Sequence, residues 1–315
     1  MLFWLLACGR EPDLAGTGDT SVLPSKDIPT SFPTDLLAER VHYLASEALQ
    51  GRQAGSEGDL LGVAYMKAEL QAAGFESPAA GWETDFVDSD GTDSVNLIGV
   101  RWGTDPHVGG EIVVVGAHHD HLGVAGNGEI YLGANDNASG MAVLLALADA
   151  FGADAPPDRT LVLAAWGSEE VNLDGSRAYV DDPPADLPMD KTVFYVNLDM
   201  LGTYNGFNVL YALDAVPGSV IRPLVSEAAA ASRLRVELDD IGSLSDSVNF
   251  CEAGVPEVFF FTEDPDCYHE PCDGPDRLDY SDLAAVGDLV EVVVGELLSR
   301  DVALAAARAE GCLVL

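Results

Sequence analysis

The chain has 315 residues, of which 48% are hydrophobic, so it can bury a substantial core in one large or two small domains. Its 53 acidic and 15 basic residues give a formal net charge of −38, which argues against nucleic acid and anionic lipid surfaces as partners. The charge fits an acidic surface that aids solubility, or a field that attracts cationic substrates.

The first eight residues, MLFWLLAC, end in a Leu-Leu-Ala-Cys sequence that resembles the lipobox of bacterial lipoproteins. This stretch is too short to span a bilayer, which takes about 20 residues, and it is also short for a secretory signal. Residues 9–35 are rich in Gly, Asp, Ser, Thr and Pro, as a flexible linker is. We therefore expect an exported protein, either secreted or a periplasmic or cell-envelope lipoprotein held to the membrane only by its lipid anchor.

Helical and strand patterns alternate over 36–300, the expected single folded domain, and residues 301–315 form a tail. Thr34 and Ser56 are expected to cap the first two helices, and Gly74 to follow the second. Continuous apolar runs, typical of strands buried on both faces, occupy 94–101, 111–117, 160–166, 192–199 and 257–262. Helical patterns occupy 138–152, 217–231 and 281–299. This alternation predicts a three-layer α/β/α sandwich with a central, mostly parallel sheet.

Polar side chains follow four of the predicted strands, at the sheet edge where α/β proteins place their binding sites. The residues at these strand ends are His118, the Ser168-Glu169-Glu170 segment, Asp199 and, in the loop after the last strand, His269. Four such strand ends are hard to attribute to chance. They predict a metal-binding or acid–base site at this edge.

Three of the six histidines lie in GAHHDHLG, residues 116–123. In extended chain His118 and Asp120 point the same way, and a metal-bound imidazole usually donates its other N–H to a carboxylate. His119 points to the opposite face. Spacing alone leaves His119 with His121 as a rival pair.

The remaining candidates are weak one at a time. Asp136 in GANDNASG could simply cap the helix that follows it. Glu169 and Glu170 could be a solvated pair, or could divide metal binding and proton transfer between them. Asp199 ends a buried strand and needs a partner, since burying an unpaired carboxylate is costly.

Besides Cys8, the chain has four cysteines: Cys251, Cys267, Cys272 and Cys312. An exported protein meets oxidising conditions that permit disulfides. The short spacing of Cys267 and Cys272 favours a disulfide within one loop. Cys251 and Cys312 could pair or stay free, and the sequence does not choose between these.

Together these segments resemble the co-catalytic di-zinc aminopeptidases of the bacterial leucyl aminopeptidase and aminopeptidase Y type, in metallopeptidase clan H. The segments GRQAGSEGD, GAHHDHLG, GANDNASG, SEEV, NLDMLG and CYHEPCD follow in the family's order over most of 36–300. The resemblance implies two zinc ions held by a set of five ligands: His118 and Asp199 for one ion, Glu170 and His269 for the other, and Asp136 bridging both. It also implies three catalytic residues: Glu169 as general base, Asp120 orienting His118, and Tyr268 hydrogen-bonding the oxyanion.

The ligand set, two imidazoles and three carboxylates, suits zinc, with manganese or cobalt as possible substitutes. The implied function is a monomeric aminopeptidase that acts on peptides with a free N-terminus. A structural role is then favoured for His119 and also for His121, which could instead line the pocket. Asp273 either orients His269 or shapes its turn.

The chain departs from the family's pattern in two places. Ser247 stands where many members have histidine, and Asn172 stands where glycine is usual. The stretch between Phe75 and Ser94 leaves little room for the extra domain of some relatives.

Three other functions compete with the aminopeptidase. A related carboxypeptidase would need a basic residue for the C-terminal carboxylate, and the chain has few. A glutaminyl cyclase would use a single zinc. A non-catalytic metal-binding lipoprotein would have no use for a general base such as Glu169.

Overall fold

A computed structural model describes residues 32–153, 155–239 and 244–305. The expected lipobox, nearly all of the expected linker, Cys312 and most of the tail lie outside the described residues. Phe32 and Leu304 are buried in the core, so the packed chain reaches slightly beyond both ends of the range 36–300.

Eight strands form one mixed sheet: β1 (Glu83–Val87), β2 (Asp93–Arg101), β3 (Ile112–His118), β4 (Thr160–Trp166), β5 (Thr192–Leu198), β6 (Leu210–Leu213), β7 (Val236–Asp239) and β8 (Glu257–Phe261). The strand order is β1-β2-β4-β3-β5-β8-β6-β7. The four central strands β4, β3, β5 and β8 are parallel, while β2 and β6 join them in antiparallel pairing. All five predicted strands are present, within one or two residues of their predicted ends.

The helices are α1 (Thr34–Leu44), α2 (Glu57–Ala72), α3 (Gly140–Ala153), α4 (Asp174–Asp181), α5 (Tyr204–Phe207), α6 (Ile221–Ala231), α7 (Ser247–Glu252) and α8 (Tyr280–Leu298). Ser56 caps α2 as predicted, because its side chain accepts a hydrogen bond from the Asp59 N–H. Gly74, with φ +87°, follows the end of α2. The prediction for Thr34 is wrong: Pro33 occupies the N-cap, and Thr34 is already the first helical residue.

The central strands are buried on both faces, and alternate residues pack into two different cores. Val113 and Val115 of β3 belong to the larger core, which α1, α2, α3, α6 and α8 cover. Ile112 and Val114 belong to the smaller core on the opposite face, beneath α4 and α7. This arrangement confirms the predicted three-layer sandwich.

Candidate functional site

The four parallel strands deliver polar residues to one edge of the sheet, as predicted. His118 is the last residue of β3, and Asp199 directly follows β5. Glu169 and Glu170 come shortly after β4, and His269 lies in the loop after β8. Because β4, β3, β5 and β8 are neighbours in the sheet, these side chains meet in space. The two most distant of them in sequence, His118 and His269, are 151 positions apart.

One group of side chains forms around the His118 imidazole, which is buried. Its Nε2 lies 3.2 Å from an oxygen of Asp136 and 3.2 Å from an oxygen of Asp199. The donor atoms of these three residues lie within 4.8 Å of one another. This spacing allows all three side chains to bind the same ion.

A second group forms around His269, whose Nε2 lies 3.2 Å from Asp136 and 3.0 Å from Glu170. Asp136 contacts the two groups with different oxygens, Oδ1 toward His118 and Oδ2 toward His269. A single carboxylate thus lies between two ligand sets.

The rival pair of histidines separates in the structure. His119 turns away from the site, with Nδ1 2.7 Å from Asp59 and Nε2 3.0 Å from the Val95 carbonyl. It connects the start of α2 to β2 and has a structural environment. His121 lies at the site itself, with Nδ1 2.8 Å from Glu170 and 3.9 Å from Asp136.

Asp120 supports the site in a different way from the expected carboxylate–imidazole pair. The nearest partner of His118 Nδ1 is the Asp120 carbonyl oxygen, at 3.2 Å, while the Asp120 carboxylate is 3.8 Å away. The carboxylate instead accepts hydrogen bonds from the backbone N–H groups of Glu169 and Glu170. An Nδ1–H that donates to this carbonyl leaves the Nε2 lone pair free for a metal.

Glu169 lies beside the His118 group, with Oε2 4.0 Å from His118 Nε2. The Ser245 hydroxyl lies 3.0 Å from Glu169 and 2.9 Å from Asp199, and it can donate its one proton to only one of them at a time. Tyr268 stacks on the His269 ring, with centroids 3.9 Å apart, and lines the same cavity as Glu169.

Sequence reasoning missed Arg52, a fully buried residue that fixes two loops of the site. Its guanidinium donates hydrogen bonds to four backbone carbonyls, those of Leu44, His119, Leu132 and Gly133. Leu132 and Gly133 lie just before Asp136 in the chain, and His119 directly follows His118. The GRQAGSEGD motif was visible in the sequence, but nothing local showed which carbonyls its arginine would reach.

Asp273 resolves an open alternative, because its carboxylate does not orient His269. It accepts hydrogen bonds from the N–H groups of Asn135 and Asp136, at 2.8 to 3.1 Å. Asp273 therefore holds the backbone that carries the shared carboxylate.

The two departures from the family's pattern have local explanations. Asn172 has φ +59°, a left-handed conformation that asparagine adopts more readily than most residues, so it can replace glycine there. Ser247 begins α7 and donates a 2.6 Å hydrogen bond to the Leu244 carbonyl.

Left-handed backbone conformations are frequent in the loops of the site. Ser168, Met200, Ser245 and His269 all have φ between 53° and 55°. Such strain is commonly retained where a side chain must be held in a functional position. His269 is itself a ligand candidate, and Met200 directly follows another, Asp199. Ser168 directly precedes Glu169, and the Ser245 hydroxyl lies beside both Glu169 and Asp199.

The electrostatics of the site favour positive charge between its carboxylates. Burial by itself lowers the pKa of His118, but Asp199 and Glu169 outweigh this effect and raise that pKa well above its usual value. Burial by itself raises the pKa of Asp136, but the imidazoles of His118, His121 and His269 hold it well below its usual range. The carboxylates therefore stabilise a cation at the positions that the imidazole Nε2 atoms face.

Glu169 has the opposite tendency. Burial, reinforced by the charges of Asp199 and Glu170 and only partly offset by His118, raises its pKa well above the usual value. A carboxylate of this kind is a better proton acceptor than an exposed one.

The donor chemistry fits zinc. The two groups offer imidazole nitrogens and carboxylate oxygens, the mixture typical of catalytic rather than structural zinc sites. Asp136 serves both groups, and buried carboxylates at this spacing are stable only with a compensating cation.

Among the described residues, no helix is long and apolar enough to cross a membrane.

Comparisons with known proteins agree with this geometry. Aminopeptidase YwaD of Bacillus subtilis is 31% identical over 200 residues, which cover 61% of this chain and 42% of YwaD. LpqL of Mycobacterium tuberculosis, named as a probable lipoprotein aminopeptidase, is 29% identical over 220 residues, which cover 58% of this chain and 42% of LpqL. The chain thus spans less than half the length of these relatives.

Solved structures share the fold at low sequence identity. A zinc aminopeptidase from Bacillus subtilis superposes with a TM-score of 0.69 and 19% identity, covering 85% of this chain and 96% of that one. A glutaminyl cyclase from Porphyromonas gingivalis superposes equally well, at 0.69 and 20% identity over 85% and 99% of the two chains.

The model of peptidase family M28 matches residues 96–294, more than half of the chain. That range contains both groups of side chains around His118 and His269, together with Glu169 and Tyr268. This chain belongs to peptidase family M28.

Proposed function

We propose that this protein is a zinc-dependent aminopeptidase that removes residues from peptides with a free N-terminus. The observation that carries the proposal is Asp136, which places one oxygen beside His118 and the other beside His269, next to the largely buried Glu169. Membership of peptidase family M28 and the similarity to aminopeptidases support it.

The proposal assigns two zinc ions. His118 and Asp199 would hold one, Glu170 and His269 would hold the other, and Asp136 would contribute to both; manganese or cobalt are candidate substitutes. Bound zinc supplies a Lewis acid that polarises the scissile carbonyl and lowers the pKa of water. A single-zinc enzyme such as a glutaminyl cyclase would not require both groups to be complete.

The chain's own residues supply the remaining steps. Glu169 accepts the proton of the attacking water as the new C–O bond forms, and it delivers that proton to the amine as the C–N bond breaks. The Tyr268 hydroxyl lines the cavity beside His269 and stabilises the oxyanion. The free α-amino group of the substrate would bind at the zinc site, which would limit the enzyme to exopeptidase cleavage.

The test is turnover of aminoacyl p-nitroanilides by the purified chain, before and after chelation and after zinc is added back. We expect activity that chelation abolishes and zinc restores. Glu169→Gln should retain zinc and lose turnover by about a thousandfold or more, the scale expected for a general base acting with metal activation. Glu227→Gln, which removes an exposed carboxylate on α6, is the matched control.

Metal content tests the ligand assignment separately. His118→Ala or Asp199→Ala should each release mainly one zinc ion per chain, and Asp136→Ala should weaken both. Unchanged zinc content in these variants would show that the assignment is wrong. Conversion of N-terminal glutamine with release of ammonia, without peptide cleavage, would identify a glutaminyl cyclase instead.

We also propose that the protein is exported, monomeric and anchored through a lipid on Cys8. The lipobox-like sequence and the similarity to LpqL, named as a lipoprotein, support this location. Cys8→Ser should release the protein from the membrane fraction of a bacterial host. Retention of this variant in that fraction would contradict the lipid anchor.

A further inference from the structure

A cavity of about 440 Å³ opens directly from the candidate metal centre. Asp136, Glu169 and Asp199 line one end of it, and the rest is mainly apolar. The volume lies within the range of small-ligand sites and is large enough for one side chain of a substrate. Its position next to Glu169 makes it the natural place for the residue whose peptide bond is cut.

The apolar wall of this cavity comes from one face of two paired strands. Tyr211 pairs with Phe261, and Leu213 pairs with Phe259, in the antiparallel ladder of β6 and β8. Since alternate residues of a strand point to opposite faces, these four side chains share one face of the sheet. The intervening residue Phe260 packs into the larger core on the other face.

The aromatic residues of this face contact one another. The Phe259 and Phe261 rings lie 5.6 Å apart by their centroids, and those of Tyr211 and Phe261 lie 6.4 Å apart. Their π-faces provide a surface that suits both an aliphatic chain and a cation.

Beyond the candidate metal centre, two neighbouring carboxylates, Glu263 and Asp264, interrupt the apolar lining. Glu263 comes two residues after Phe261 and lines the cavity while remaining partly exposed. The Tyr211 hydroxyl is hydrogen-bonded to it, and burial together with this carboxylate raises the pKa of Tyr211 to about 12. The Glu263 backbone is held by a 3.1 Å hydrogen bond that the Thr203 hydroxyl donates to its carbonyl.

Asp264, the residue after Glu263, differs from it in having a basic partner. Asp264 is neutralised by Arg277, whose guanidinium donates two hydrogen bonds to it at 2.7 and 3.0 Å. In the part of the chain that the structure describes, no basic side chain forms an ion pair with Glu263. Its carboxylate is thus available to a positive charge that enters the cavity.

We propose that this cavity selects substrates whose N-terminal residue is lysine or arginine, a proposal that rests on the aminopeptidase function above. The aliphatic stem of such a residue packs on Phe259 and Phe261, as long basic side chains do on apolar surfaces. Its charged head reaches the Glu263 carboxylate beside the Tyr211 hydroxyl. An acidic first residue is repelled, and the net charge of −38 also favours cationic peptides.

The test compares kcat/KM for the p-nitroanilides of lysine, arginine, leucine and glutamate. The wild type should prefer lysine and arginine over leucine, with glutamate the poorest. Glu263→Gln should lower kcat/KM for lysine and arginine by about tenfold, the value of one partly solvated charge-assisted hydrogen bond, with leucine unchanged within about twofold. The Glu227→Gln control should leave all four values unchanged.

Turnover of the leucine substrate by Glu263→Gln reports that the variant is folded and active. If that variant does not fold, Glu263→Lys provides the second test, with glutamate then preferred over lysine. Preference of the wild type for leucine over both basic residues would overturn the proposal, as would an equal loss on every substrate in Glu263→Gln. Failure of the wild type to cleave any of these amides would instead contradict the aminopeptidase function itself.

Discussion

Arg52 makes a quantitative prediction about how the two halves of the site are held together. Its buried guanidinium donates to the carbonyls of Leu44, His119, Leu132 and Gly133 at 2.5 to 2.9 Å. Arg52→Met keeps much of the aliphatic volume and removes every donor. We therefore expect it to weaken the fold and to loosen both loops that carry candidate ligands.

The magnitude follows from opposing contributions. Hydrogen bonds from a charged donor contribute about 1.5–3 kcal/mol each, but burying the guanidinium offsets much of that sum. Arg52→Met leaves these four carbonyls without the donor, at about 1–3 kcal/mol for each that finds no other partner, so we expect a net loss of about 3–5 kcal/mol after that offset. Arg52→Lys keeps the charge but has three donors for four carbonyls, so we expect a smaller loss of about 1–3 kcal/mol.

The assay is urea unfolding in the presence of chelator, followed by a separate measurement of zinc affinity. The Met variant should bind zinc about 10–100-fold more weakly, the usual effect of removing a group that supports ligands. Arg177→Met is the control, since Arg177 is 46% exposed and pairs with the similarly exposed Glu252 at 3.9 Å; it should change stability by less than about 0.5 kcal/mol.

Two results would refute this reasoning. If the Met variant unfolds within about 1 kcal/mol of the wild type, the four hydrogen bonds have no net effect on stability. If stability falls as expected while zinc affinity is unchanged, Arg52 supports the fold but not the geometry of the ligands.

Three further predictions concern residues around the site. His121→Leu removes the imidazole 2.8 Å from Glu170 and should weaken zinc binding about 10–100-fold without changing its stoichiometry; loss of one zinc per chain would make His121 a ligand. Burial raises the pKa of Asp246 from 3.8 to about 7, so the contribution of this one residue to the stability of the folded, chelated protein falls as pH rises from about 4 through 7. Asp246→Asn should therefore be more stable than the wild type above pH 7, by up to about 4 kcal/mol in urea unfolding. This gain should be absent below about pH 4, and a stability difference that does not vary with pH would contradict the prediction. The disulfide between Cys267 and Cys272 closes the loop that carries His269. Replacing both cysteines by serine should lower the free energy of unfolding by about 2 kcal/mol and reduce zinc retention. An unchanged thermal unfolding temperature would show that the disulfide does not stabilise the fold.

Much of the architecture was predictable because its signals are local. The five long apolar runs became strands, and their order along the chain already placed His118, Asp199 and the two glutamates at one edge of a parallel sheet. The Ser56 cap, the Gly74 helix end and the Cys267–Cys272 disulfide are likewise properties of a few consecutive residues. The short elements β1, β6, β7, α4, α5 and α7 lack enough residues to show a periodicity, and they were missed.

The sequence by itself determined which chemical groups this protein brings to its sheet edge, since strand and helix periodicity depend only on near neighbours. Only the tertiary structure decided what surrounds those groups. Asp273 reaches the N–H of Asn135 across 138 positions of sequence, and the guanidinium of Arg52 reaches carbonyls 67 to 81 positions away. Such partners are chosen by the packing of the whole chain, because hydrogen bonds between distant segments form only where the fold brings a donor and an acceptor to the same buried place.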